Sequence, residues 1–320
     1  MTAPALASAL EGRREGTEWR CRCPVHGGRS LSITEKGGRI LLVCRAGCSQ
    51  AEIIRGLRGA GLWGGETDYD RKYTPPPQDS PGDKEKRIEK AERMWEEALP
   101  IQPGDPVHRY LTGRGIVLDA WPDDLHYHPA LPYWTADDNG KPVKIGTFPA
   151  MLAVVRNLQG RPVSLHRTYI TSDGHKAPVE SPKKLFKVHD LTGSAVCLFP
   201  PRDGILGLAE GTETALSAYL LTGTPTWAAL SAGGIERAEL PEEIKRVVIF
   251  ADNDRSKIGQ RAAAKVAIRF RSEGREARIL VPDELGKDFN DILQKMPIGW
   301  QADRHGRRND AREEYHNFGH

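Results

Sequence analysis

The sequence predicts an α/β protein whose carboxyl-terminal part is a mainly parallel sheet covered by helices. Apolar runs such as GILGLA and RVVIFA alternate with helical stretches over residues 204–295, which is typical of buried parallel strands. Four of the five cysteines lie within residues 21–48, and acidic residues follow three of the predicted strands. A chain of 320 residues is long enough for two or three domains.

Composition shifts along the chain predict its domain boundaries. Residues 1–63 hold the clustered cysteines, two short strands and a helix that starts near Ser49, which favours a small unit similar to a zinc ribbon. Residues 64–84 are polar and rich in Gly and Pro, so we expect a flexible linker. Residues 85–200 predict a helix followed by a basic α+β domain. Its strand-like runs begin with HRYLTGRGI. Residues 201–296 predict the parallel sheet. The polar stretch 297–320 is predicted to be a disordered tail.

The clustered cysteines predict a zinc site. Cys23-x-x-His26 and Cys44-x-x-x-Cys48 supply two pairs of ligands that can close a tetrahedron. Cys21 is a possible substitute for Cys23, because alternate residues of an extended strand point to the same side. Residues 1–20 lack the cationic start and apolar core of a secretory signal, so we expect a reducing, cytoplasmic setting that favours metal over disulfides.

The acidic residues predict a second metal site. Glu210 follows GILGLA, Asp252 and Asp254 follow RVVIF, and Asp288 follows ARILVP within GKDFNDIL. Residues beyond the carboxyl ends of parallel strands share one crevice. Carboxylates crowded there repel one another unless a cation neutralises them, and oxygen ligands suit Mg²⁺ or Mn²⁺.

These motifs resemble a known family. EGTETALSA, the strand that ends in ADND, and GKDFNDIL are similar to the Toprim domain of topoisomerases and DnaG-type primases, and CPVH…CRAGC resembles the zinc-binding domain of the same primases. HRTYITSDGHKAP resembles the stretch that precedes Toprim in phage-type proteins. The resemblance is closest to the short primase-like proteins of phages, plasmids and integrated elements. The sequence departs from the pattern of this family in two places. Cys44 and Cys48 are separated by three residues, where DnaG-type primases usually have two, and Gly259 follows DND later than usual because RSKI is inserted between them.

The resemblance implies a DNA primase that makes short RNA primers on single-stranded DNA from nucleoside triphosphates. Catalytic Mg²⁺ or Mn²⁺ would be held by Asp252, Asp254 and Asp288, while Glu210 would hold a metal or take the hydroxyl proton. Lys287 could neutralise a triphosphate, and Glu213, one turn after Glu210, favours the start of a helix. Structural zinc would be held by the Cys23, His26, Cys44 and Cys48 set.

Basic residues concentrate in two segments. Residues 11–60 carry ten basic against five acidic residues, and residues 139–190 carry nine against three, although the whole chain has a net charge of only +3. Such segments can hold phosphates beside an acidic metal crevice. The candidates for contacts with nucleic acid or nucleotide are Arg22, Arg29, Arg45, His166, Arg167, Lys176, Lys183, Lys184 and Lys187.

The sequence leaves two alternatives open and excludes others. The same carboxylates could serve a Toprim-type nuclease, or the chain could be a non-catalytic protein that binds template during replication. No run of about 18 apolar residues exists, which excludes a membrane protein. No GxxxxGK[ST] motif exists, so we expect any replicative helicase to be a separate protein.

Overall fold

The computed structural model of the protein describes residues 2–297 apart from residues 17, 37–38, 47, 49, 64–80, 138–140 and 256. Most of the predicted linker, nearly all of the predicted tail and the predicted helix start at Ser49 lie outside the described residues. The described part contains three sheets, two of them antiparallel and one parallel. Among the described residues, no helix combines the length and the hydropathy that crossing a bilayer requires.

The amino-terminal unit is a four-stranded antiparallel sheet with a helix at each end of the unit. Its elements are α1 (Ala3–Ala9), β1 (Arg13–Glu15), β2 (Glu18–Cys21), β3 (Leu31–Lys36), β4 (Arg39–Cys44) and α2 (Gln50–Gly59). The predicted strands LSIT and ILLVC fall within β3 and β4. Helix α1 was not predicted; Thr2 caps it by accepting a hydrogen bond from the backbone N–H of Ala5 at 3.4 Å. Its Leu6 is fully buried in the core of this unit.

The middle domain is built on a five-stranded antiparallel sheet in sequential order β5 to β9. Its elements are α3 (Pro81–Glu96), β5 (Leu99–Pro100), α4 (Pro106–Thr112), β6 (Leu125–Ala136), β7 (Pro142–Arg156), β8 (Pro162–Tyr169) and β9 (Lys183–Lys187). Both faces of β7 are buried over its second half, from Ala150 to Val155. Met151 and Ala153 pack on the side of α4, and Leu152 packs in a second cluster that includes Met94 of α3. This half of the strand is therefore covered on both sides.

Two predictions for this domain are wrong, one of a strand and one of the start of a helix. The run HRYLTGRGI, predicted as a strand, lies largely in helix α4, because Asp105 caps the helix by accepting from the N–H of His108 at 2.7 Å and Pro106 fixes the first helical φ. Helix α3 begins at Pro81, four residues inside the predicted linker. A proline at the first helical position, followed by Asp83 in the first turn, favours that earlier start.

The carboxyl-terminal domain is a four-stranded sheet in the order β11-β10-β12-β13, and all its strands are parallel, as predicted. Its elements are β10 (Ile205–Ala209), α5 (Thr212–Thr222), β11 (Thr226–Ala228), α6 (Ala232–Arg237), β12 (Arg246–Phe250), α7 (Ile258–Ser272), β13 (Glu276–Leu280) and α8 (Phe289–Gln294). Helices α5 and α8 share a core with one face of the sheet, and α6 and α7 share a core with the other.

The middle and carboxyl-terminal domains share one hydrophobic core. Tyr110 and Met151 of the middle domain belong to the same buried cluster as Leu216, Phe250 and Phe289 of the parallel sheet and its helices. This packing fixes the middle domain against the face of the sheet that carries α5. Side chains from β8 and β9 are thereby brought to the carboxyl ends of the parallel strands.

Candidate active site and zinc centre

Three acidic side chains meet at the carboxyl ends of the parallel strands. Glu210 directly follows β10, and Asp252 lies two residues beyond β12; Ala209 and Phe250 are paired in register, so both strands end at the same level. Asp288 is the N-cap residue of α8. Together Glu210, Asp252 and Asp288 line one cavity of about 240 Å³. The structure thus brings these three predicted residues together.

The carboxylates of this cavity repel one another. Burial, followed by the charges of Asp288, Glu210 and Asp254, raises the pKa of Asp252 to about 7. Burial and the charge of Asp254 also raise the pKa of Glu210. The Oδ1 atom of Asp252 is buried and accepts no hydrogen bond from the residues that the structure describes. A half-buried carboxylate beside three others is the environment that a hard divalent cation such as Mg²⁺ neutralises.

The loop that carries Asp252 and Asp254 is fixed by Asn253. Its side-chain amide donates to the carbonyl oxygen of Pro282 at 2.8 Å, and its Oδ1 accepts from Gln260 at 2.9 Å. The backbone N–H of Asn253 donates to the carbonyl of Lys287 at 2.9 Å. These bonds tie the loop after β12 to the segment before α8, which keeps Asp288 near Asp252.

The segment before α8 places Lys287 away from the cavity. Asp288 and Asp291 form a reciprocal capping box: Asp288 Oδ1 accepts from the N–H of Asp291 at 2.8 Å, and Asp291 Oδ2 accepts from the N–H of Asp288 at 3.1 Å. The ammonium of Lys287 lies 3.5 Å from Asp291 Oδ1 and does not line the cavity. Asp254 does not line it either, although its charge acts on Asp252 and Glu210.

Helix α7 approaches the cavity with its first turn, despite the residues inserted before Gly259. Helix α7 begins at Ile258, and a Cβ atom added at Gly259 would lie 3.7 Å from Glu210 Oε2, an ordinary van der Waals distance. The first turn of α7 therefore packs beside the Glu210 carboxylate.

Basic side chains of the middle domain line the same cavity. They are Arg114, His166, Lys176 and Lys183. Burial, and then the charge of Lys183, lowers the pKa of His166 to about 4, so this imidazole is neutral at pH 7. Burial, and then Lys183, also lowers the pKa of Lys176. The cavity is thus lined by carboxylates of the carboxyl-terminal domain and by cations of the middle domain.

Arg114 was not predicted as a site residue, because HRYLTGRGI was interpreted as a strand. It lies between Gly113 at the end of α4 and Gly115, whose φ of +73° is in the left-handed region. The carbonyl of Arg114 accepts a hydrogen bond from the buried side chain of Asn290 on α8 at 2.9 Å. An arginine between two glycines after a helix is the signal that could have marked it.

A larger basic cavity of about 850 Å³ lies between the amino-terminal unit and the middle domain. The predicted nucleic-acid candidates that line it are Arg29, Arg45, Arg167, Lys183 and Lys184, and Arg13 and Arg20 join them. Acidic side chains lie there as well: Arg45 and Arg20 both pair with Glu18. Arg22 pairs with Glu11 at 2.7 Å outside the cavity, and Lys187 is exposed elsewhere.

The predicted zinc ligands converge. One ligand atom from each of Cys23, His26, Cys44 and Cys48 lies within 4.8 Å of the others, close to the spacing of about 3.8 Å between ligands of tetrahedral zinc. His26 Nε2 lies 3.3 Å from Cys44 Sγ. A hydrogen bond from Cys23 is the largest cause that lowers the pKa of Cys44, to about 3, which favours the thiolate form that metals bind. The three-residue spacing of the second pair leaves this convergence intact.

Cys21 and Cys197 lie apart from this group. Cys21 is fully buried, its sulfur lies near the carbonyl oxygens of Ala7 and Trp19, and a Cβ at Gly12 would meet it at 2.5 Å. Cys197 packs at the edge of the core formed by the sheet, α6 and α7, as expected for a core residue. Burial raises the pKa of Cys197 to about 12.

The carboxyl-terminal domain is therefore an open α/β sheet with an acidic crevice at the carboxyl ends of its strands. The family model of the Toprim domain matches residues 205–297, so the chain carries a Toprim domain. A second model, a domain of unknown function (DUF7146), matches residues 85–198. Among curated proteins, none matches the sequence.

Solved structures of primases are among those that match this chain. A DNA primase domain from Pseudomonas aeruginosa has 15% identity, covers 69% of this chain and 77% of its own, and gives a TM-score of 0.45. The Aquifex aeolicus primase, with its zinc-binding and RNA polymerase domains, has 16% identity, coverages of 92% and 79%, and a TM-score of 0.43. The primase fragment of the bacteriophage T7 primase-helicase protein has 16% identity, coverages of 45% and 57%, and a TM-score of 0.34.

Proposed function

We propose that the protein is a DNA primase that synthesises short RNA primers on single-stranded DNA by metal-dependent nucleotidyl transfer. The observation that carries this proposal is the cavity between the Toprim domain and the middle domain, which is lined by both carboxylates and cations. Asp252, one of whose oxygens is buried without a hydrogen-bond partner among the described residues, lines it together with Glu210 and Asp288, and so do Lys183 and Arg114. A nucleoside triphosphate with its divalent cation needs both kinds of side chain.

Asp252, Asp254 and Asp288 would hold Mg²⁺ or Mn²⁺. When bound, the metal would neutralise the charge that develops on the α-phosphate and on the leaving pyrophosphate. Glu210 would complete the ligand set or accept the proton of the attacking 3′-hydroxyl, and its raised pKa makes it a stronger proton acceptor than an ordinary glutamate. Lys176, Lys183 and Arg114 would bind the triphosphate oxygens, with His166 as a neutral hydrogen-bonding group beside them.

The larger basic cavity would hold the template. Arg29 and Arg45 on the amino-terminal side face Arg167 and Lys184 of the middle domain across it, and such a groove favours a polyphosphate backbone. Lys183 lines both cavities. A strand in the larger cavity would therefore lead toward the acidic crevice.

The remaining parts of the proposal concern organisation and setting. Residues 1–63 would be a zinc unit stabilised by the four converging ligands, residues 64–80 a connection to α3, residues 81–200 that helix with the basic domain, and residues 201–296 the catalytic Toprim domain. The protein would act in the cytoplasm during replication of a phage, plasmid or other mobile element, together with a separate helicase.

The proposal is tested by extension of labelled nucleoside triphosphates on single-stranded DNA with Mg²⁺. Wild type should produce short, template-dependent RNA. Asp252→Asn should lower the rate by roughly a thousandfold or more, because the variant loses a charged metal ligand. Asp283→Asn is the matched control, since Asp283 is exposed and lies outside the cavity, and its rate should match that of wild type.

The same assay separates the alternatives. Nicking of DNA by the wild type with Mg²⁺ or Mn²⁺, without synthesis, would identify a nuclease. DNA binding with neither synthesis nor nicking would identify a non-catalytic template-binding protein. Primer synthesis by Asp252→Asn at the wild-type rate would exclude this crevice as the active site.

A further inference from the structure

Of the acidic side chains that the structure places in the acidic cavity, Glu213 is the one with a protein partner at both carboxylate oxygens. Its Oε1 accepts from the hydroxyl of Tyr110 at 2.6 Å, and its Oε2 accepts from the ammonium of Lys183 at 2.7 Å. The Glu213 side chain is only 5% exposed. Burial acts to raise its pKa, but Lys183 and Tyr110 outweigh burial and lower that pKa to about 2, so Glu213 is ionised at every working pH.

Glu213 and Asp252 line the same cavity but differ in their hydrogen-bond partners. The Oδ1 of Asp252 has no hydrogen-bond partner among the described residues, whereas both oxygens of Glu213 accept hydrogen bonds from the protein. Asp252 is therefore ready to accept a cation from solution, and Glu213 is already neutralised by a cation of the protein. This contrast argues against Glu213 as a metal ligand and against a role limited to favouring the start of α5.

Lys183 is placed where it could interfere with the metal ligands. It lines the same 240 Å³ cavity as Glu210 and Asp252, and its charge reaches both of them, since it opposes the rise of their pKa values. A lysine side chain has four rotatable carbon–carbon bonds and readily changes partner. Without Glu213, the carboxylates available to Lys183 within the cavity would be those of Glu210, Asp252 and Asp288.

We infer that Glu213 is a positioning residue that holds Lys183 away from Glu210 and Asp252, so that these two carboxylates stay open to a divalent cation. The inference deepens the proposed function and rests on it for the identity of the metal ligands. Tyr110 of α4 donates to the other oxygen of Glu213, so the contacts of Glu213 cross the junction of the middle and Toprim domains. The ion pair with Lys183 is the contact that holds the lysine.

The test is a double-mutant cycle with Mn²⁺ alone as the probe, read by electron paramagnetic resonance of free Mn²⁺ in the zinc-loaded full chain without nucleotide or DNA. Glu213→Gln keeps the shape of the side chain but frees the ammonium. We expect about tenfold weaker Mn²⁺ binding, because an opposite charge at ion-pair distance changes the cation affinity of a carboxylate by about that factor or more. Glu213→Asp, which withdraws the carboxylate by one methylene, should also weaken binding.

Lys183→Met decides how Glu213 acts. In the Lys183→Met background, Glu213→Gln should leave the Mn²⁺ affinity unchanged, because no ammonium remains to be released. Tyr110→Phe is the matched control, since it removes one hydrogen bond of Glu213 but keeps the pair with Lys183; its affinity should stay within about twofold of wild type. Asp252→Asn should abolish tight Mn²⁺ binding and so show that the crevice binds the Mn²⁺.

The outcomes separate this inference from the proposed function. Unchanged affinity in Glu213→Gln, or weakening that persists in the Lys183→Met background, would overturn the positioning role while leaving primer synthesis untouched. If the cycle behaves as expected but the wild type makes no primer, the positioning role stands and the primase proposal fails. A wild type without Mn²⁺ binding in the crevice would contradict both.

Discussion

Replacing Asp252 by Asn should stabilise the metal-free protein at neutral pH while it abolishes primer synthesis. Asp252 is half-buried beside Glu210, Asp254 and Asp288, and burial followed by the charges of these carboxylates raises its pKa from 3.8 to about 7. Asparagine keeps the size of the side chain but removes the charge. The variant therefore loses the repulsion that the folded wild type must accept when no divalent cation is present.

The size of this effect follows from proton linkage. Each unit of pKa difference between the folded and unfolded states corresponds to about 1.4 kcal/mol, which gives an upper limit of about 4 kcal/mol for Asp252. Partial access of water to this half-buried carboxyl reduces the expected value to about 2 kcal/mol. The sign is that of a raised acid: the penalty is absent below the unfolded pKa, grows as the pH rises and is complete above the folded pKa. The variant should thus gain less at pH 5, which lies about one unit above the ordinary pKa of 3.8, than at pH 7.5.

Urea denaturation of zinc-loaded protein without Mg²⁺, at pH 5 and pH 7.5, measures this difference. The free energy of unfolding of Asp252→Asn should exceed that of wild type by about 1 to 2 kcal/mol more at pH 7.5 than at pH 5. Asp283→Asn, on the surface outside the cavity, should show no such pH dependence. Asp252→Asn protein that is less stable than wild type at pH 7.5 would contradict this prediction. So would a difference in free energy of unfolding between variant and wild type that is the same at both pH values.

Three further predictions concern other parts of the molecule. Cys44→Ser should remove the roughly one zinc per chain that metal analysis of the full protein should find, whereas Cys21→Ser should retain it, because Cys21 lies in the core away from the four ligands. Arg45→Ala should lower the slope of log affinity for single-stranded DNA against log salt by about 0.7, one phosphate contact, whereas Arg22→Ala, outside the basic cavity, should leave it unchanged. Asn290→Ala should lower the free energy of unfolding by about 1 to 3 kcal/mol in a denaturation measurement, because this fully buried amide bonds Arg114 and Ser217; an unchanged value would show that these bonds contribute nothing.

The parallel sheet and the sites at its strand ends could be predicted because their signals are local. Uninterrupted apolar runs such as RVVIF are long enough to indicate buried strands, and topology then brings Glu210 and Asp252 to one edge. The zinc ligands were predictable for a similar reason, since Cys23 and His26 are close in sequence. Their convergence with the second pair needed only one hairpin, β3 to β4.

What the sequence could not provide depends on contacts between distant segments. The carboxylate of Glu213 is fixed by Tyr110, 103 residues earlier, and by Lys183, 30 residues earlier, so its spacing from Glu210 suggested only a helix start. Arg114 was hidden because Asp105 and Pro106 start a helix in a run whose apolar pattern also suits a strand. Lys287 was expected at the metal site, but the capping box of α8 directs it toward Asp291.

The central claim is that the Toprim crevice joins nucleotides on a DNA template. Its most direct measurement follows α-labelled nucleoside triphosphates and released pyrophosphate together, with wild-type protein, single-stranded DNA and Mg²⁺. We expect alkali-labile labelled oligonucleotides, and the amount of phosphodiester bonds formed should equal the amount of pyrophosphate released. Oligonucleotides and pyrophosphate should both be absent without template and in Asp252→Asn. Wild-type protein that binds the DNA and contains zinc, yet forms neither labelled product nor pyrophosphate, would contradict it.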